Sequence, residues 1–518
     1  MDKTHKLILA ILIFGVSLIV LDGTIVAVSL PVIISDLGLS LTQAQWVSSL
    51  YTVVFAALLL PSGVLGDRYS HRRMFISGLA IFGAASAIAS FATGAPVLLM
   101  ARALQGLGGA FVLPATLSII NETFRKNNRA AAFGIWGAAM ATMAALGPLV
   151  GGWITSEFSW PWVFLVNVPL VLCAVPIALR ILPRADKPSR QRLPLLSTVM
   201  SALSFAAIVF GLIEGTTYGW WTPKQGLSLG SWELNPPISV STLVLIFGML
   251  LLVTFVGREL YKVRKSRDVL VDPRLFTIPS FALGNITAAA VAAGEFGVLF
   301  GLPLFLVNVR GLSTMETGWV LAALACGGII SGGLARFISQ RIGPERTVIV
   351  GLALEVLGIV GVVVLLDPAI HMWMLVALLA MYGCGMGLAS AQLTSVVLAH
   401  VPVKISGMGS AIQSTFRQVG SATGVALAGS ALAVAINTDM PTRLVDAGLP
   451  HELAVKFSDA TASSVGGAMS GLSDGNPQLL SVLHDGYTVG QAVAMGSCGV
   501  FLVIGLFCSI ALYRISRR

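Results

Sequence analysis

The chain has 518 residues, of which 56% are hydrophobic and 11% charged, and its net charge is +9. Its mean hydropathy is +0.88; a soluble domain carries about 25% charged residues, so this composition excludes a water-covered surface and requires one that faces lipid. Five cysteines (Cys173, Cys326, Cys384, Cys498, Cys508) all fall in apolar runs without close partners in sequence, which gives neither a disulfide framework nor zinc spacing.

A spanning helix needs ~20 mostly apolar residues. Fourteen such segments follow one another: 6–31, 43–65, 74–93, 96–120, 130–155, 162–182, 194–214, 237–257, 279–308, 314–339, 346–366, 371–399, 407–437 and 488–513. None alternates as a spanning strand of about ten residues does. Backbone groups in lipid must be satisfied within the segment, so the spans read as helices. The first apolar run follows Lys3 and Lys6, as in a signal peptide. No small-residue cleavage site follows it, and it continues through Asp22 to Pro31, so it reads as a retained first helix. Glycine, 55 residues, exceeds the usual ~7% and lets membrane helices approach closely.

Of the 32 Lys and Arg, 26 lie on the N-terminus, the even-numbered connections and the C-terminus. Four (Lys224, Arg310, Arg443, Lys456) lie on the other side, and Arg102 and Arg417 lie within spans. Cytoplasmic connections carry the positive excess. Both termini are therefore expected in the cytoplasm, in a multi-pass protein of the bacterial inner membrane. A span count wrong by one would scramble this segregation, which also explains the basic balance without nucleic acid. The connections 183–193 and 258–275 are basic. The long outside connection 438–487 mixes Gly and Ser runs with an apolar stretch, Leu453–Phe457, and reads either as a short hairpin or as disorder.

Several local patterns carry chemistry. Span 1 ends Leu21-Asp22-Gly23-Thr24-Ile25-Val26-Ala27-Val28-Ser29-Leu30-Pro31. Spans 2 and 3 are joined by Gly63-Val64-Leu65-Gly66-Asp67-Arg68-Tyr69-Ser70-His71-Arg72-Arg73. There Asp67 can pair with Arg68, Arg72 or a neighbouring helix end and latch one conformation; the plainer reading is a charged loop obeying the charge bias. Span 4 contains Arg102-Ala103-Leu104-Gln105-Gly106. An arginine at that depth costs at least ~2.5 kcal/mol unless it faces protein or a wet cavity. Span 5 contains Gly147-Pro148-Leu149-Val150-Gly151-Gly152, where proline removes a backbone donor and the glycines permit close helix contact. After span 10, Gln340-Arg341-Ile342-Gly343 aligns with Asp67-Arg68-Tyr69-Ser70, a degenerate internal repeat that suits two parallel halves.

In this order, over nearly the whole chain, these patterns resemble the signatures of the major facilitator superfamily. The span 5 motif resembles the one associated with antiporters. The ends of spans 1 and 6 (Phe164-Leu165-Val166-Asn167-Val168-Pro169) and Gly407–Gly420 in span 13 resemble the fourteen-helix drug:proton antiporters, the branch that includes quaternary-ammonium efflux pumps. Ser70 replaces a glycine of the pattern, His71 an arginine, Ala27 an asparagine, Ser29 an alanine and Pro161 an arginine. The resemblance implies an all-α membrane protein with the major facilitator fold: two six-helix bundles plus two extra helices. It divides the chain into an N-terminal bundle (1–182), two linker helices with basic loops (183–275) and a C-terminal bundle (276–518) containing the 438–487 connection. It further implies a monomer that exports small lipophilic or cationic compounds in exchange for protons, with the proton gradient in place of any cofactor or metal.

Intramembrane acids are functional candidates by default. Asp22 sits about 9 residues, roughly 13 Å, from the outer end of span 1, and Arg102 about 6 residues, roughly 9 Å, from that of span 4. A pairing is possible, with Asp22 taking the proton and Arg102 tuning it; the alternative is a structural Asp22 capping a helix broken near Gly23. The resemblance implies a cavity lined by spans 1, 4, 9 and 12, so Glu295 in span 9 is expected to face it opposite Asp22, or else to be an acid bonded to Ser or Thr within the bundle. Phe296 and Phe300 share a stripe and either stack on aromatic or cationic cargo or fill space against lipid. Glu355, in a peripheral span, ranks below Glu295; Glu214 and Glu316, near the outer mouths, are expected to be solvated by water. No phosphate loop suggests ATP drive. The rival readings are an exporter of an endogenous amphiphile (lipid, siderophore or antibiotic) and, more distantly, an integral membrane enzyme. The histidines lie away from the span centres and form no metal motif, which counts against the enzyme.

Overall fold

A computed structural model describes residues 3–124, 127–183, 195–224, 227–229, 232–234, 237–265, 269–402 and 406–516. Most of the basic connection 183–193, and Lys404, lie outside the described residues. Helices dominate: α1 Lys3–Leu37, α2 Leu41–Tyr69, α3 His71–Ser90, α4 Ala95–Thr123, α5 Asn127–Glu157, the short α6 Pro161–Leu165 and α7 Asn167–Ile181. Then come α8 Leu195–Ile213, α9 Gly215–Tyr218, a strand pair β1 Leu227–Leu229 and β2 Trp232–Leu234, and α10 Val240–Arg264. After a 3-10 turn at Pro273–Thr277 follow α11 Pro279–Asn308, α12 Thr314–Ile342, α13 Pro344–Leu365, α14 Met372–Leu398 and α15 Ser406–Asp446. The chain ends with α16 His451–Ser463, α17 Met469–Leu472 and α18 Pro477–Ser516. Counting α6 and α7 as one crossing, thirteen described helices are long and apolar enough to span a membrane. The 31-residue α5 is long enough for a further crossing.

The strand pair is antiparallel, with Leu227 opposite Leu234; no sequence signal marked it. Residues 438–487, read as a connection, are largely helical. α15 runs on to Asp446, α16 and α17 follow, and α18 begins at Pro477. The two halves repeat even in their caps. At α2 the Ser40 hydroxyl accepts from the Gln43 N–H at 3.3 Å, and the Gln43 side chain accepts from the Ser40 N–H at 3.0 Å. At α12 Ser313 and Glu316 form the same box, at 3.2 and 2.8 Å. Each box satisfies two orphan helix-end donors reciprocally.

In the first half α1 packs on α5, and α4 packs on α2 and α3. In the second, α11 packs on α15 and α18, and α14 on α12 and α13. The halves meet where α5 crosses α12 and α2 crosses α15. The linker helix α8 lies across the α2–α15 seam, with α10 behind it; Val209 and Ile213 of α8 pack with Val53, Ala422 and Ala426. The apolar core has a pole-to-pole asymmetry. Away from the termini one cluster runs through both halves, from Val28 and Leu30 of α1 to Leu304 and Leu306 of α11 and Ile436 of α15. Toward the termini it divides, one cluster around Leu12, Phe75 and Ile120, another around Phe281, Val348 and Leu512.

Candidate functional site

Two buried acid sites stand out, one in each half. In the first, Asp22 of α1 and Arg102 of α4 have side chains 0% and 1% exposed. Nη1 of Arg102 donates to Oδ2 of Asp22 at 2.6 Å, and Nε donates to the Val47 carbonyl of α2 at 3.1 Å. The guanidinium also lies 4.7 Å from the centre of the Tyr51 ring, a favourable cation–π placement. The second carboxylate oxygen accepts from Gln105 at 2.9 Å and from Asn167 of α7 at 3.1 Å. Gln105 also reaches Ser86 of α3 at 3.0 Å. Hydrogen bonds to a charged acceptor are the strong ones, and here both oxygens are engaged. α1 runs unbroken through Gly23, so Asp22 does not cap a broken helix.

The span 5 motif seats α1. A Cβ on Gly147 would stand 2.0 Å from Oγ1 of Thr24, and one on Gly151 would stand 2.5 Å from the Ile25 carbonyl. Gly152 faces the other way, where a Cβ would stand 2.7 Å from the Thr314 carbonyl of α12. Only glycine fits these three places, and Pro148 lies inside a continuous helix. Ser29 and Thr155 complete the α1–α5 contact at 2.7 Å.

In the second half, Glu295 of α11 is 5% exposed. Its partners are distant: Nη2 of Arg417 on α15 is 3.7 Å away, and the Ser390 hydroxyl of α14 donates at 3.5 Å. The Arg417 side chain is 41% exposed. Glu355 of α13 is fully buried, and neither of its carboxyl oxygens has a hydrogen-bond partner among the described residues. The buried Tyr382 hydroxyl of α14 lacks one as well. Phe300, 2% exposed, belongs to the shared core, and Phe296 is half-buried against it. Phe300 is thus enclosed by protein, whereas Phe296 keeps part of its ring at the surface of α11.

At the span 2–3 junction the Asp67 side chain lies outside the described residues. Gly63 has open space around it, and Arg68 is exposed, its guanidinium 5.5 Å from the Tyr69 ring. Arg72 donates to the Leu179 carbonyl in the last turn of α7, where a helix dipole favours a cation. His71 meets Glu122 at 3.4 Å. Glu214, expected in water, instead accepts from the Trp46 indole at 2.8 Å and ties α8 to α2; Glu316 serves its capping box.

Gln105 and Asn167 lie within the motifs of spans 4 and 6, but the sequence alone assigns them no role beside Asp22. The signal for Gln105 was its spacing, three residues from Arg102 and so on the same helix face. Arg417 stood out as an arginine within a span. Nothing in sequence marked Tyr382 or Ser390, which folding alone brings to the acids.

Comparison with known proteins agrees with this architecture. The chain is 27% identical over 507 residues to the tetracenomycin C resistance and export protein of Streptomyces glaucescens, covering 96% of this chain and 89% of that protein. It is 28% identical over 497 residues to the methyl viologen resistance protein SmvA of Salmonella typhimurium, covering 95% and 96%. Its fold matches the crystal structure of a bacterial homolog of the human lysosomal transporter Spinster, captured inward-facing and unoccupied. The TM-score is 0.66 at 18% identity, over 99% of this chain and 98% of the other. The family model of the Major Facilitator Superfamily matches residues 12–425, so this multi-pass membrane protein belongs to that superfamily of transporters.

Proposed function

We propose that this transporter is a proton-coupled antiporter that exports lipophilic, often cationic compounds by alternating access. The observation that carries the reading is Asp22, a carboxylate fully buried within a spanning helix and held by a guanidinium. A buried acid that must swap its partners to change charge suits exchange of a proton for a cation. In the empty state Arg102 holds Asp22; protonation of Asp22 frees Arg102 and lets α1 and α4 shift. Glu295, beside the half-exposed Arg417, supplies the negative wall that a cation would meet, with Phe296 adjoining. Phe300, deep in the shared core, would reach cargo only when the core opens. Exchange of one proton for a monovalent cation moves no net charge, so the pH gradient drives it without nucleotide, and each further proton exchanged adds about 2.3 kcal/mol per 100 mV of membrane potential.

The same reading divides the chain at residues 182 and 275 into two bundles and a linker pair, in a monomer with both termini in the cytoplasm of a bacterial inner membrane. On that orientation the single core seals the outer face and the divided core marks the side open to the cytoplasm. Gly63, Asp67, Arg68 and Arg72 act there as a latch, and Gly147, Pro148, Gly151 and Gly152 as the bearing between α1 and α12. Methyl viologen is a dication, which favours cationic cargo by kinship with its resistance protein. The name of the tetracenomycin C relative favours a second reading, export of an antibiotic or other endogenous amphiphile.

Proteoliposomes holding the purified chain and an imposed pH gradient test the proposal, with ethidium as probe. Wild type should move ethidium uphill and dissipate the gradient, and Asp22→Asn should do neither. Uphill movement that survives Asp22→Asn would overturn it.

A further inference from the structure

We propose that Glu355 and Glu295 together hold one resident proton beside Arg417, which gives the second half of the molecule a protonation site of its own. Charge counting separates the halves. Around Asp22 one carboxylate meets one buried guanidinium. In the second half two carboxyls, Glu295 and Glu355, lie within electrostatic reach of each other and of a single guanidinium, Arg417. The other titratable groups facing them are Tyr382 of α14 and, through it, Cys498 of α18. Neither is a cation. Two buried carboxylates that share a site do not both stay ionised: one keeps a proton.

Glu355 is the deeper member. It is fully buried, and both its oxygens lack a donor. An anion in that position costs far more than a neutral acid. The backbones of α13 and α14 meet closely here, where a Cβ on Gly385 would stand 2.5 Å from the Gly351 carbonyl and 2.6 Å from the Glu355 nitrogen. A Cβ on Gly385 of α14 would stand 2.8 Å from Cγ of Glu355, and one on Gly358 of α13 would stand 2.9 Å from Cβ of Tyr382. Paired glycines thus seat the acid and the phenol across the α13–α14 contact. The Tyr382 hydroxyl, buried and unpartnered, is free to donate when the carboxyl ionises. Glu295 connects the pair to the half-exposed Arg417. A cation arriving at Glu295 would leave the site with its charge unchanged only if the proton departs to water.

This inference deepens the antiport reading and rests on it for that last step alone. Infrared spectra of the purified, cargo-free chain test the resident proton directly. At neutral pH wild type should show the carbonyl stretch of a protonated carboxyl. Glu355→Gln should abolish the band, because Glu295 then faces Arg417 one to one. Asp22→Asn should retain it. Arg417→Gln should about double it, since two acids then lack a cation; a misfolded variant would not produce that gain. A wild type without the band, or a Glu355→Gln chain that keeps it, would overturn the proposal. Ethidium transport reports separately. Wild type that shows the band but moves no ethidium would sink the antiport reading and not this one.

Discussion

The first helix of each half, α1 and α11, carries a buried acid facing a guanidinium, yet the two surroundings are opposites. Asp22 has both oxygens engaged by Arg102, Gln105 and Asn167 at 2.6 to 3.1 Å. Glu295 has partners at 3.5 and 3.7 Å and a fully buried, unpartnered neighbour in Glu355. A completed polar network rigidifies, whereas an incomplete one is electrostatically costly. The lesson is that burial alone does not define a transport acid. The first half holds a joint with every partner in place; the second holds a site short of partners.

The largest test of that contrast removes each guanidinium. Arg102→Ala strands a buried anion and should cost about 3–5 kcal/mol, read as a lowered unfolding temperature in detergent. Arg417→Ala removes a half-exposed partner and should cost under about 1 kcal/mol. Equal losses would erase the distinction between the sites.

A second test asks whether both acid-bearing helices are seated by glycine. Gly147→Ala forces a methyl onto Thr24 of α1, and Gly424→Ala forces one to 2.0 Å from the Ala293 carbonyl of α11. Each should destabilise by about 1–3 kcal/mol. Gly63→Ala, in the interior of α2 with open space around it, should instead stabilise by about 0.5–1 kcal/mol, which separates steric fit from motif membership.

The same contrast shows how much of the molecule sequence can reveal. Fourteen spans are legible because lipid demands long apolar runs, and helix is the form that suits their unalternating pattern. The paired depths of Asp22 and Arg102 are legible because helical rise is constant. The character of the second site is not. Glu355 reads as peripheral from helix order, but the turn of α13 that carries it faces inward, where α14 supplies Tyr382. Side-chain direction around a uniformly apolar helix leaves no periodic trace, since polar and lipid-facing positions are not distinguished by hydrophobicity there. The helical content of 438–487 is hidden for a related reason: its Gly and Ser residues suggest a loop, yet buried contacts such as Ala454 and Met469 anchor it to the core.

A third test reverses the sign. Glu355→Met replaces a buried, unpartnered carboxyl with an apolar chain of similar length. It should stabilise the protein by about 1–3 kcal/mol, the desolvation penalty of the lost group. Asp22→Leu, which strands Arg102, Gln105 and Asn167, should destabilise it. Stabilisation by both would mean that the Asp22 network is as unfavourable as the Glu355 site.

The smallest effect lies where the halves repeat most closely. α2 ends at Ser70 with φ 121° and ψ 128°, and α12 ends at Gly343 with φ 90° and ψ 155°. Glycine adopts such angles freely, while a residue with a Cβ held there costs of order 1–3 kcal/mol. Ser70 makes no side-chain capping bond in return. Against that strain stands the extra backbone entropy glycine loses on folding, about 0.5–1 kcal/mol. Ser70→Gly should therefore raise stability by about 1 kcal/mol, and Gly343→Ser should lower it by a similar amount. The strain sits between α2 and the Arg72 contact with α7, so a turn relaxed by Ser70→Gly should also change how readily that contact releases. If Ser70→Gly proved no more stable than wild type, the two turns would be energetically equivalent, and the difference between the halves would be confined to their acids.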